Sequence, residues 1–260
     1  ARIMNLANGE VLVFGSLAAF WLYTSSQISP LLTILIVIPI SFIGNLLIYK
    51  FLLAPLVRRS KSRGALEVDS ILATFGMSFI LIGIMTSIEG GFFAYKYLSE
   101  PIQILGSTTS LSRMVAFLIA TLIALVLYLW LNKTRSGVAV RAVSVSTEAA
   151  GLVGINVPRL SAVAFAIGGA ITAVGGALIS TFITLDASIG VVFTLKALII
   201  VIMGGVGEIR GAIIAAIILG IVETTVSTLV DPGLTLAAAY FIFVLILLFR
   251  PQGLFGRRNT

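Results

Sequence analysis

The chain has 260 residues, 59% of them hydrophobic and only 10% charged, with a mean hydropathy of +1.16; soluble domains carry about a quarter charged residues, so a soluble globule is excluded. The net charge of +7 would suggest nucleic acid in a soluble protein, but here the basic residues cluster between apolar runs, where membrane topology places them. Cys and His are both absent, which removes disulfides, thiolate and imidazole metal sites, and Ser-His or Cys-His nucleophiles.

Eight apolar runs lie near residues 7–24, 31–53, 70–88, 112–131, 161–183, 192–206, 211–229 and 235–249. Each approaches the roughly 20 helical residues that cross about 30 Å of hydrocarbon. Stretches such as Leu31 to Ile38 do not alternate in polarity, which excludes the strands of a membrane barrel. The expected fold is therefore an all-α polytopic bundle of about eight transmembrane helices, forming one transmembrane domain over 1–260. Ala1 opens in mid-pattern, so one further N-terminal helix is expected before it, a cleaved signal peptide being the other reading. Alternating the runs across the bilayer places Lys96, Arg113 and Lys196 on one side and the rest of the 17 Lys and Arg on the other, which is the cytoplasm. Both ends of the chain then face the cytoplasm. The sixth run is short, and Gly204, Gly205, Gly207 and Gly211 interrupt it and the seventh, so a re-entrant glycine-broken pair is the alternative there.

In chain order, the first functional candidate is the polar interruption Asn5 to Glu10. Its residues Asn5, Asn8, Gly9 and Glu10 line a path through the membrane, or else the segment is a helix start capped by Asn5 or Asn8. Thr74, Gly76 and Ser78 in the third run are open between close packing and a polar lining. The loop Gly90 to Leu111, with Phe92, Phe93, Tyr95, Tyr97 and Pro101, reads as an interfacial aromatic belt or as a surface for an extracytoplasmic partner.

Asn132 to Leu160 carries an apolar stripe, Val138, Ala142, Val145, Ala149 and Leu152, opposite a second one, Arg141, Ser144, Glu148 and Gly151. This spacing predicts one amphipathic helix over about 137–154 along the cytoplasmic face. Such a helix lies in the headgroups or docks a cytoplasmic partner; an anchor is redundant beside eight spans, which favours docking. The fifth run has Gly168, Gly169, Gly175 and Gly176 in pairs seven residues apart, predicting a closely packed central helix. Among acids and bases within the membrane, Glu223, Lys196 and Glu10 stand out. Lys196 and Glu223 contact a transported zwitterion or pair with each other.

These segments together resemble one family, the LivH-type permease subunits of branched-chain amino acid ABC importers. The resemblance rests on Ile3 to Glu10 (IMNLANGE, where the family reads I-N-F-A-H-G-E), Ala73 to Ser78 (ATFGMS), and Arg135 to Arg159 (RSGVAVRAVSVSTEAAGLVGINVPR). Leu195 to Gly211 (LKALIIVIMGGVGEIRG), Gly220 to Glu223 (GIVE) and Arg250 to Gly256 (RPQGLFG) complete it. It implies a permease domain, not an enzyme, in the inner membrane of a prokaryote. Arg141, Ala142, Glu148, Ala149, Ala150, Gly154 and Ile155 would lie in the loop that docks onto cytoplasmic ATPase subunits, which bind the ATP. This chain would hold no cofactor, and it contains no G-x-x-x-x-G-K-[ST] loop. A LivM-like permease or a second copy would complete the pore, and an extracytoplasmic binding protein would deliver the substrate. Nucleic acid is not an expected partner. Asn8 departs from the family's His. Permeases for urea or short amides resemble the same family, and an ATP-independent secondary transporter or channel, or a membrane scaffold, are the competing classes.

Overall fold

The computed structural model describes residues 5–60, 62–104 and 107–256. Ile3 and Met4 of the first motif, and Arg2, Lys61, Arg257 and Arg258 among the basic residues assigned to the cytoplasmic side, lie outside the described residues. Helix α1 (Asn8–Ser26) and helix α2 (Pro30–Ile48) form a hairpin. Helix α2 continues through a π-helical turn, Tyr49–Leu53, into α3 (Ala54–Arg59). Pro55 has no N–H to offer, and the wider turn carries the helix past it, with the Ala54 N–H bonded to the Tyr49 carbonyl. Next come α4 (Arg63–Ile88), the strands β1 (Pro101–Ile104) and β2 (Ser107–Ser110), and α5 (Leu111–Lys133). After them follow α6 (Arg135–Val145), α7 (Thr147–Leu152), α8 (Val157–Ile179), α9 (Gly190–Gly204), α10 (Ile209–Leu229) and α11 (Thr235–Phe249).

All eight predicted runs are helical, and the all-α class holds with one small antiparallel hairpin, Ile102 opposite Thr109, added to it. Six segments are long and apolar enough to cross a bilayer. The first of them runs Pro30–Arg59, past the end at 53 expected for the second apolar run. Helix α1 has 19 residues and α9 only 15, about 22 Å at 1.5 Å per residue, short of the hydrocarbon thickness. Eight is therefore a count of helices, of which α9 is too short to span unaided.

The chain divides into two compact units, Ala1–Val191 and Val192–Thr260. In the first, α8 is the packing axis, with 44% of its most apolar window buried. Only one member of each glycine pair makes the close contacts. A Cβ on Gly176 would strike the Leu12 carbonyl, one on Gly169 the Asn45 side chain, and one on Gly15 the Ala173 carbonyl, whereas Gly168 and Gly175 have open space. Residues 169 and 176 are seven apart and share a face, and backbone approach at that face lets the Ser16 hydroxyl donate to the Gly176 carbonyl at 2.9 Å. Val11, Val37 and Ala173 form a buried cluster across the three helices.

The segment between α4 and α5, open from sequence between an interfacial belt and a partner surface, turns three of its aromatic rings inward. Phe93 is buried and exchanges backbone hydrogen bonds with Leu185 at 2.9 and 3.1 Å. Tyr95 meets the Ser180 hydroxyl at 2.9 Å, and Tyr97 meets Ser29 at 2.7 Å. Phe20 and Tyr23 pack on the same rings, with centroids 5.0 to 6.2 Å apart. In extended backbone, residues two apart share a face, so Phe93, Tyr95 and Tyr97 turn inward together as a lid while Phe92 points out. Burial pushes the Tyr95 phenol up to about 12, the Ser180 bond working against it.

In the second unit Ile199, Met203, Ala215, Leu219 and Ala239 form the core of α9, α10 and α11. The last carbonyls of α9 are taken by the chain's tail: Leu254 N–H donates to Met203 O at 2.8 Å and Phe255 N–H to Gly204 O at 3.2 Å. Gly205 and Gly253, which touch there, both have positive φ, 104° and 82°, a conformation open to glycine at little cost. The G-G-V-G and R-P-Q-G-L-F-G motifs thus form one helix terminus.

Candidate translocation site and coupling surface

The break before α1 lies beside the middle of a membrane-spanning helix. Leu6 N–H donates to Thr74 Oγ1 at 3.1 Å, and Thr74 sits near the midpoint of α4, whose apolar span runs Gly64–Ile88. Non-helical backbone at such a depth is tolerated only where protein or a cavity satisfies it. Here Asn5 does so: its Oδ1 accepts the Ala7 N–H at 3.0 Å, and its Nδ2 donates to Asn8 Oδ1 at 2.8 Å. Ala7 occupies the N-cap position without a side-chain cap, so neither Asn5 nor Asn8 is the cap residue.

That arrangement decides the state of Glu10, the third residue of α1. An acid at this position ordinarily reaches back to the N–H of the cap residue. Asn5 already holds that N–H, and neither Glu10 oxygen has a hydrogen-bond partner among the described residues, although the side chain is 0% exposed. An unpaired buried carboxylate costs several kcal/mol, lessened here by the positive end of α1. The first residue of α9 covers this point. A Cβ on Gly190 would lie 2.9 Å from the Gly9 carbonyl carbon and 3.0 Å from the Glu10 nitrogen. Two helix starts therefore meet backbone to backbone over a buried acid that has no partner among the described residues.

Among the residues singled out from sequence, Asn5, Asn8, Gly9 and Glu10 come together in this break. Ser78 is buried on the same stripe of α4 as Thr74, with Ser70 four residues earlier. Gly76 is turned about 200° from Thr74 on the helix; it is exposed, with open space around it, between Phe75 and Phe79. Ser70, Thr74 and Ser78 recur every four residues, a helical spacing readable in the sequence. Gly190 carries no sequence signal of its own.

Lys196 and Glu223 lie in the other unit and pair with each other. The Lys196 Nζ is 2.8 Å from Glu223 Oε1 and 2.9 Å from Oε2, both side chains being about a quarter exposed. The pair joins α9 to α10 and cancels both charges between apolar helices.

The predicted cytoplasmic helix is two helices. Ser146 is extended between α6 and α7 (φ −147°, ψ 111°), its side chain accepting the Ala149 N–H at 3.2 Å. A serine at this point offers the backbone a cap in place of a continued helix, which corrects the single span 137–154. Thr134 caps α6 through the Gly137 N–H at 3.1 Å, and a Cβ on Gly137 would strike the Trp130 carbonyl, so this glycine clamps α6 to the end of α5. At the far end α7 closes with Gly154 N–H donating to Gly151 O and Ile155 N–H to Ala150 O, both at 3.1 Å. Gly154 has φ 83°, the left-handed conformation that this closure uses.

Inward contacts are made by Gly137, Val143 and Ala150. Of the predicted apolar stripe, Val138, Val145 and Leu152 face out, Leu152 at 90% exposure, with Val153 beside it at 76%. Ala142 is half-buried, while Ser144, Glu148 and Ala149 are exposed. Ser144 donates to the Arg141 carbonyl at 2.7 Å. Arg141 is held by Asn132, its guanidinium donating to Oδ1 at 2.6 Å. The surface thus joins a fixed cation and exposed hydroxyl and acidic groups to an apolar ridge that none of the described residues covers.

Residues 1–250 of the 260 match the family described as the branched-chain amino acid transport system permease component. The chain belongs to this family. It is 29% identical over 266 residues to the high-affinity branched-chain amino acid transport system permease protein LivH of Salmonella typhimurium, covering 98% of this chain and 86% of that protein. The permease protein BraD of Pseudomonas aeruginosa is 26% identical with the same coverage. A probable LivH of Methanocaldococcus jannaschii is 27% identical over 234 residues, covering 87% of this chain and 72% of the relative. No solved structure matches. The chain is a multi-pass membrane permease of a transport family, not a member of an enzyme family.

Proposed function

We propose that this permease is one membrane half of an ATP-driven importer of branched-chain amino acids in the inner membrane of a prokaryote. The names of its relatives support the substrate class. The observation that carries the ATP-driven part is the α6–α7 surface: Val145, Leu152 and Val153 at 76 to 90% exposure beside Arg141, Ser144 and Glu148. An apolar ridge of this kind with fixed polar neighbours is what a docking partner covers. ATPase subunits bind there and hydrolyse the ATP. Arg141, Ala142, Ser144, Glu148, Ala149, Gly154 and Ile155 form or shape the contact. A second permease, LivM-like or another copy, completes the pore, and an extracytoplasmic binding protein hands over the amino acid.

The chain's own contribution is a path and a lever. Asn5, Asn8, Gly9 and Glu10, with Thr74 and Ser78 on α4, supply the polar lining; Gly76 is left out by its position. Lys196 and Glu223 reach the solute only if their pair opens. Movement of α6–α7 biases the bundle between two packings, because the docked partner contacts one state better than the other.

ATP-dependent leucine uptake by the assembled complex in liposomes tests this. Glu148→Lys and Leu152→Asp are expected to cut uptake at least about tenfold, the equivalent of 1.4 kcal/mol of coupling, while the permease inserts normally. Unchanged uptake in both would remove α6–α7 from the coupling surface. Uptake without ATP would move the protein to the secondary transporters or channels, and competition by urea but not by leucine would change the substrate class.

A further inference from the structure

We infer that Glu10 is the counter-charge for the ammonium group of the transported solute, and that the contact of Gly190 with Gly9 and Glu10 is the seal that must part to admit it. The inference rests on the permease reading above and names the group that recognises the substrate class. Four observations carry it. Glu10 is 0% exposed and both its oxygens lack a hydrogen-bond partner among the described residues. The partner that a helix's third residue would take, the N–H of Ala7, is held by Asn5, and the Asn8 side chain is engaged by Asn5 as well, so the local polar groups satisfy one another and leave the acid over. The break lies level with the middle of α4, through Leu6 and Thr74. Gly190 rests on the backbone of the same two residues at 2.9 to 3.0 Å, measured from the Cβ it lacks.

A carboxylate accepts hydrogen bonds and donates none, whereas an ammonium group has three donors and no acceptor. The two are complementary in charge and in hydrogen bonding, and charge-assisted bonds of this type are the strong ones. A neutral solute such as urea offers no charge to cancel Glu10. Glu223, the other acid singled out among the apolar helices, is already matched by Lys196, whereas Glu10 has no partner among the described residues. Its neighbours in the chain, Ala7, Val11 and Val13, are all buried, an apolar setting that suits an aliphatic side chain next to the ammonium group.

The experiment uses the permease assembled with its ATPase subunits, without a binding protein, and measures binding of radiolabelled leucine. The competitor is 4-methylpentanoate, which keeps the carboxylate and the branched chain but lacks the amino group. Glu10→Gln is expected to weaken leucine binding by roughly tenfold or more, to leave 4-methylpentanoate binding unchanged, and to be rescued in part by Glu10→Asp. Leucine affinity in Glu10→Gln within about twofold of the wild type would overturn the inference. Should Glu10→Gln fail to assemble, labelling of wild-type Glu10 by an apolar carbodiimide, read by peptide mass spectrometry, decides instead. Leucine is expected to protect Glu10 and 4-methylpentanoate to leave it reactive; equal labelling with both overturns the inference. Wild-type complex that, once supplied with its binding protein, takes up no amino acid with ATP would fail the permease reading itself, and the inference with it. Wild-type uptake with undiminished leucine binding in Glu10→Gln fails the inference alone.

Discussion

Glu10 and Glu223 are both acids among apolar helices, and the fold treats them in opposite ways. Glu223 is met by Lys196 at 2.8 Å on the neighbouring helix, in a place that keeps about a quarter of each side chain exposed. Glu10 is closed off entirely, and the group that would have satisfied it is taken by Asn5. A matched acid of the first kind joins two helices; an unmatched one of the second kind costs stability that packing elsewhere must offset, which is the usual signature of a functional group in a membrane. The two positions therefore call for opposite responses to mutation.

The largest expected effect is on the matched pair. Lys196→Met or Glu223→Gln alone leaves an uncompensated charge or a lone polar group and should lower stability in detergent by about 3 kcal/mol. The double change Lys196→Met with Glu223→Met should return to within about 1 kcal/mol of the wild type, because charge and partner leave together. Thermal unfolding of the three variants reads this, and a double variant no better than the singles would contradict the pairing role. Glu10→Gln should behave in reverse, with unfolding unchanged or raised by about 1 kcal/mol since the isolated charge is gone, and substrate uptake reduced. Gly190→Ala should cost about 1 to 2 kcal/mol by forcing the Gly190 and Gly9 backbones apart, and should speed carbodiimide labelling of Glu10; labelling at the wild-type rate would show that this contact is no seal. The smallest effect is on the lid. Tyr95→Phe removes one hydrogen bond, about 1 kcal/mol. With a phenol raised from 10.0 to about 12, the folded state holds its proton longer than the unfolded chain, so the stability Tyr95 provides is whole below pH 10 and lost as pH rises toward 12. Tyr95→Phe should flatten that alkaline decline, measured alongside tyrosinate absorbance.

Much of this was legible in the residues. Long non-alternating apolar runs dictate helices, and the α8 glycines dictate close packing, since in lipid dispersion and backbone approach replace hydrophobic driving force. The α6–α7 segment was legible as amphipathic but not as divided, because the periodicity runs on through Ser146 while its side chain caps a new helix. The aromatic loop was read by composition, and its spacing of two was the missed clue to an inward face. The position of the Asn5 to Glu10 break was open from sequence; the Leu6 bond to Thr74 places it level with the middle of a spanning helix. Gly190 could not be foreseen as its neighbour, since that contact joins residues some 180 positions apart and has no local pattern.

The central claim, that an ATPase drives this permease through α6–α7, is tested most directly by a cysteine placed at Leu152. The chain has no native cysteine, so Leu152→Cys is a unique reporter, and Phe117→Cys, exposed on an apolar span, is its control. In native membranes Leu152→Cys should crosslink to an ATP-hydrolysing subunit, with a yield that changes when ATP is added, while Phe117→Cys should not. Leu152→Cys that crosslinks to no such subunit and reports only lipid contact, as Phe117→Cys does, would contradict the account.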